Sequence, residues 1–169
     1  MFRPSVPVAL SFCLLNSAPL AAQTRPVTQG NPALEEFKSL AGEWEGKDSH
    51  GGTVHIAYEV LGSGVVMEKL QPEGQPGMVT MYSLDGDHIV AFHFCSMGNQ
   101  PVLKTDSLSA ATGKYDFALE HAYGLKTSGE LHMVGLVLTM PDKEHLTQVW
   151  TSLHEGKRSS NTISLVRKK

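Results

Sequence analysis

Between residues 44 and 167 the chain is a succession of short runs with a two-residue apolar period, separated by turns rich in glycine, proline and aspartate. Nowhere in that stretch does a helical period last long enough to carry a crossover. Parallel strands need a connection of a dozen or more residues, so these runs must pair antiparallel with their chain neighbours. The run 53–61 sets the type: Val54, Ile56, Tyr58 and Val60 alternate with Thr53, His55, Ala57 and Glu59, as in a half-buried strand. The clearest hairpin joins 78–84 to 88–96 through Asp85-Gly86-Asp87. Further strands are expected at 44–48, 65–71, 102–109, 114–120, 129–140, 145–154 and 162–167. An open meander of about nine or ten strands would expose unpaired edges, which closure into a barrel removes. The expectation is therefore an all-β fold, one antiparallel up-and-down barrel with a short N-terminal helix.

The stretch Leu40-Ala41-Gly42-Glu43-Trp44-Glu45-Gly46 forms the entrance to that barrel. An indole at the start of the first strand can plug one barrel end, and flanking glycines let the entering chain pass close beneath it. Ahead of it, Asn31 and Pro32 make a helix start, with Glu35 and Glu36 near the positive end of the helix dipole. Leu34, Phe37 and Leu40 fall on one helical face, and Gly42 is the expected stop. A short amphipathic helix in this place reads as a lid. Gly42 and Trp44 are accordingly structural residues.

Residues 1–22 have the three parts of a secretory signal: Arg3, an apolar core, and the small residues around Ala21-Ala22. Residues 23–30 read as a flexible tether and 31–169 as the barrel domain. The apolar core is shorter than a spanning helix requires, so no membrane span is expected. Phe12 ahead of Cys13 argues against a lipid-anchored cysteine. Cleavage would remove Arg3 and Cys13, making the mature chain one charge more negative and leaving Cys95 its sole thiol. The expected location is periplasmic or secreted. With a net charge of -3 and no basic stripe, a nucleic-acid partner is not expected. No motif fixes an oligomeric state.

Gly42-x-Trp44 opening an antiparallel barrel resembles the calycin group: lipocalins, fatty-acid-binding proteins and the haem-binding nitrobindins. The middle segment is similar to a family of secreted bacterial proteins of unknown function. It comprises Met78-Val79-Thr80-Met81-Tyr82, then Asp85-Gly86-Asp87, His93-Phe94-Cys95 and Asn99-Gln100-Pro101. The resemblance implies a barrel with a lumen that takes a small, largely apolar molecule. In the nitrobindin-type case it implies haem held by a histidine on a late strand, where His145 and His154 lie.

His93-Phe94-Cys95 is the strongest local candidate for chemistry. Alternate residues of a strand share a face about 7 Å apart, so imidazole and thiol could converge on a ligand or metal. Asn99 and Gln100 could add amides at the rim. Trp150 shares its face with Gln148 and Ser152, which suits a cavity wall or an outer surface. Together with Tyr82 and Met81, the last drawn from a scattered set of methionines suited to an adaptable pocket, these are the candidate ligand-binding residues. No cofactor follows from a motif; haem is the one the resemblance suggests. No Gly-x-Ser-x-Gly element is present. Glu59, Glu68, Asp106, Asp116, Glu120 and Glu130 read as a solvated face, the alternative being an enzyme that uses His93, Cys95 and one lumen carboxylate.

Overall fold

The computed structural model describes residues 30–108 and 111–169; the leader 1–22 and all but the last residue of the tether lie outside them. A short helix, α1 (Pro32–Lys38), is followed by ten strands. These are β1 (Gly42–Asp48), β2 (Thr53–Leu61), β3 (Val65–Pro72), β4 (Met78–Asp85) and β5 (His88–Phe94). The remainder are β6 (Gln100–Thr105), β7 (Lys114–Tyr123), β8 (His132–Thr139), β9 (His145–His154) and β10 (Lys157–Arg167). Each strand pairs antiparallel with its chain neighbours, and β1 pairs with β10 to close the barrel.

Several boundaries differ from the sequence expectation. The helix ends at Lys38, ahead of Gly42, which instead opens β1 at φ 126°. β10 begins at Lys157 rather than 162, because Glu155 and Gly156 both take positive φ and make a tight two-residue turn. The stretch 157–161 is polar and lies at the barrel rim, so it carries no apolar alternation to reveal the strand. β5 stops at Phe94, where residues 95–98 turn, and β7 runs on to Tyr123. β8 starts at His132, not 129.

The lid reading of α1 holds. Asn31 caps it by accepting from the Ala33 and Leu34 amides, and Ala33, Leu34 and Phe37 are buried. Phe37 drives its ring into the barrel mouth, 4.8 Å from Tyr115 and 5.1 Å from Tyr82 between centroids. Burying such a side chain stabilises by about 2–3 kcal/mol. Trp44 is fully buried beside the helix and donates through Nε1 to the Leu40 carbonyl at 2.8 Å. The Arg167 guanidinium lies 4.2 Å above the indole and donates to the Ser39, Ala41 and Lys143 carbonyls. One side chain thus ties the end of α1, the entrance to β1 and the β8–β9 loop to β10, across the strand pair that closes the barrel.

That closure constrains Gly46. It faces Leu165 across the β1–β10 seam, and a Cβ there would meet the Ser164 carbonyl oxygen at 1.8 Å. The obstacle is backbone, so no side-chain rotation relieves it. Gly46→Ala is expected to cost more than about 3 kcal/mol in urea unfolding, against less than about 0.5 kcal/mol for Gly64→Ala, the ordinary range for unobstructed surface positions. A Cβ at Gly64 would meet nothing within 4 Å. Equal midpoints for the two variants would contradict this account of the seam.

Candidate functional site

The two ends of the lumen are built differently. Phe37, Tyr82, Tyr115 and Phe117 fill the helix-capped end. The opposite end, ringed by the β1–β2, β3–β4 and β9–β10 turns, holds a cavity of about 480 Å³. Val54, Leu70, Met78, Met133, Trp150 and Ile163 form its apolar walls, and His93 lies among them. Asp48, His50, Gln75 and the serines and asparagine at 159–161 surround its mouth. Met133 reaches the wall because the β8–β9 register shifts between Met133 and Gly135; a bulge re-aims the side chains on either side of it.

Between packed end and cavity runs a buried polar chain. The two-residue period of β3 places Glu68 inward between Val66 and Leu70, with no exposed surface. Trp150 Nε1 can only donate, and it donates to Gln148 Oε1 at 2.8 Å. That fixes the Gln148 amide with its NH₂ toward Tyr58 Oη and Glu68 Oε2, each at 2.7 Å. Tyr58 accepts from Gln148 and therefore gives its own proton to Glu68 Oε2 at 2.6 Å. Tyr82 donates to the same oxygen at 2.9 Å, and the Thr80 hydroxyl donates to Oε1 at 3.5 Å. Three donors on one oxygen and a fourth on the other are what a sealed carboxylate requires.

The chain ends at His93. Its Nδ1 lies 3.0 Å from Thr80 Oγ1. Thr80 has one hydroxyl proton and stands between Glu68 Oε1 and His93 Nδ1, so the charge of Glu68 and the tautomer of His93 are linked through it. Nε2 is buried and has no hydrogen-bond partner among the described residues. The Trp150 ring is tilted against the imidazole, with centroids 4.7 Å apart.

Burial dominates the electrostatics. It pushes the Glu68 carboxyl above its ordinary range, opposed by the hydrogen bonds from Tyr58, Tyr82, Gln148 and Thr80. Burial, and then the Glu68 charge, raise the Tyr58 and Tyr82 phenols well above theirs, which keeps both as donors. Burial alone lowers His93 to about 4, so the ring is neutral at ordinary pH.

Of the residues singled out in the sequence, the structure brings His93, Trp150 and Ser152 to the cavity, and Gln148 shares the inward face of Trp150. Tyr82 is inward but lies between Phe37 and Glu68, below the cavity. Met81 takes the opposite phase of β4 and stands outside, across from Phe92. Cys95 is buried past the end of β5 in the turn closed by its amide and the Asn99 carbonyl; it does not line the cavity. Asn99 donates to the Leu131 carbonyl, and Gln100 turns back to the Gly98 carbonyl. Neither amide lines the cavity.

His145 and His154 do not enter the lumen either. His145 has the outward phase of β9 and is held by Asp142, while His154 lies beyond the rim, exposed. Glu68 departs from the solvated face expected of it; Glu59, Asp106, Asp116 and Glu120 are exposed. Among the described residues no three His, Cys, Asp or Glu side chains gather as a metal site. Sequence reasoning missed Glu68, Tyr58 and Thr80 as a lumen set. The signal was the phase of β3, which puts Glu68 with Val66 and Leu70.

No family model matches the chain, and no curated protein matches it by sequence. Among solved structures, Rv2717c from M. tuberculosis is similar with a TM-score of 0.63 at 11% identity, over 82% of this chain and 98% of that one. A protein of unknown function from the DUF3598 family of Nostoc punctiforme matches with a TM-score of 0.54 at 11% identity, over 78% of this chain; the chain spans about half of that protein (49%). At these identities the likeness shows the fold, an antiparallel barrel consistent with the calycin resemblance.

The buried imidazole has a consequence for stability. Its folded value of about 4 lies below the ordinary 6.5, so the unfolded chain takes up a proton first as pH falls. The stabilisation is complete above pH 6.5 and is lost progressively down to about 4. Relative to His93→Phe, which has no such group, the protein is expected to lose about 3 kcal/mol over that window in urea titrations. Parallel profiles for the two proteins would contradict the neutral, buried state of His93.

Proposed function

We propose that this protein binds a small, largely apolar molecule in the open half of its lumen. The observation that carries the reading is the cavity itself, walled by Val54, Leu70, Met78, Met133, Trp150 and Ile163 with polar groups toward its mouth. A concave, mostly apolar site with a few polar groups is the ordinary form of a small-molecule site. The volume of about 480 Å³ lies in the range of such sites. The leader-like first 22 residues support binding in a periplasmic or secreted setting.

His93 supports a second reading, haem. It is the histidine of the inner wall, and its Nε2, which has no hydrogen-bond partner among the described residues, would hold the iron in a cavity with mostly apolar walls. Bound iron would supply a coordination position for a diatomic or redox partner. The Thr80 hydroxyl, backed by Glu68, would fix the imidazole orientation, the usual office of a second-sphere partner.

Native and denaturing mass spectra of the mature protein, with an absorbance spectrum and titration of N-phenylnaphthylamine, test both readings. Lumen binding predicts either a mass excess lost on denaturation or uptake of the probe with enhanced emission, abolished by blocking the cavity with Met133→Trp. Haem adds a Soret band on hemin addition that His93→Phe removes. An empty mass together with no probe uptake would contradict the proposal.

A further inference from the structure

Resting on the lumen-binding reading, we infer that the ligand is a cationic amphiphile, an apolar body with an alkylammonium head, held body inward with its head at the Asp48 carboxylate. Asp48 ends β1 in the inward phase of Trp44 and Gly46, and it stands opposite Ile163 of the cavity wall across the β1–β10 seam. Its Oδ1 accepts from the His50 and Gly52 amides at 2.9 and 2.8 Å, which fixes the carboxylate on the β1–β2 turn. Among the described residues Asp48 joins no ion pair, and both of these hydrogen bonds go to Oδ1, which leaves Oδ2 for a ligand.

The distribution of charge along the lumen sets the orientation. Glu68 has no exposed surface, so the deep end shows a charged head no countercharge. Burying an unpaired charge there is expensive, so the head stays at the mouth and the apolar body fills the cavity. Among the described residues no Lys or Arg lines the cavity, and Asp48 is its one carboxylate. The other polar groups of the lining sort heads weakly by charge. The hydroxyls of Ser152, Ser159 and Ser160 donate or accept as needed, the Gln75 amide offers both functions, and Asn161, whose Oδ1 accepts from Ser49, keeps a neutral NH₂. His50 and Lys157 are the groups at this end that would favour an anion. Both are exposed at turns, and Lys157 lies past the lining, whereas Asp48 is half-buried and faces inward. The less screened charge at the mouth is therefore negative, and it disfavours the fatty-acid carboxylate that a generic lipid-binding barrel would accept.

The test uses three probes with one apolar body, 4-phenylbutylamine, 4-phenylbutanol and 4-phenylbutyrate, titrated calorimetrically at neutral pH and low salt. The amine is expected to bind about three-fold more tightly than the alcohol and about ten-fold more tightly than the carboxylate. Asp48→Asn keeps an Oδ1 for the turn and removes the charge, so the amine and the alcohol should fall within about two-fold of each other. The same charge change on the outer face, Glu120→Gln, should leave the order and its size intact. Should Asp48→Asn fail to fold, salt gives the same reading on the unaltered protein: raising it from about 20 mM to about 500 mM should close most of the gap between amine and carboxylate and leave the alcohol unmoved. Equal binding of amine and alcohol, tighter binding of the carboxylate, or a preference that survives both Asp48→Asn and high salt would overturn the charge rule while leaving lumen binding standing. If none of the three binds, the lumen reading falls and this one with it.

Discussion

A carboxylate sealed inside an apolar barrel must be surrounded by donors, and in this protein that requirement organises the interior. Glu68 draws Tyr58 from β2, Tyr82 and Thr80 from β4, and Gln148 from β9, strands on opposite sides of the lumen. Tyr58, Tyr82 and Gln148 each direct a proton at its Oε2. Removing the carboxylate would orphan several buried groups at once, whereas a well-packed apolar replacement of the whole set would carry no such penalty. The set therefore specifies an arrangement more than it adds stability. Its outer member is His93.

The rest of the fold protects that arrangement. At one end, α1 and its Phe37 pack against Tyr82 and Tyr115, so the network has an aromatic floor. The β1–β10 seam, held by Arg167 over Trp44 and drawn tight at Gly46, lets the barrel close without an edge. At the other end the bulge in β8 turns Met133 into the wall, and the long polar start of β10 makes a wet rim. One end is packed and the other left open, so the lumen is accessible from one side only.

Much of the fold was legible in the sequence, because turns and two-residue alternation are local signals. The ten strands follow from them, and so does the helix over one end, from Asn31, Pro32 and the spacing of Leu34 and Phe37. The limits were also physical. Lys157 to Asn161 form a strand held by its partner β9 and by a turn at positive φ, neither of which leaves an apolar pattern. The site was legible only in part. His93 and Trp150 lie on strands whose apolar neighbours set their phase, but Cys95, Asn99 and Gln100 fall in or beside a turn that ends that phase. Glu68 was hidden because a lone carboxylate on a strand is ordinarily solvated, and only the partners brought by β2, β4 and β9 make its burial possible. His145 and His154 show the converse: a late strand was the expected address for a ligand histidine, yet one lies in the outward phase and the other past the rim.

The central claim is that burial holds His93 neutral at the end of the hydrogen-bonded chain that starts at Glu68. Long-range proton–nitrogen correlation on the ¹⁵N-labelled protein at neutral pH reads this directly, since protonated and unprotonated imidazole nitrogens differ widely in shift. The account predicts a neutral His93 that carries a single ring proton. An imidazolium would contradict it.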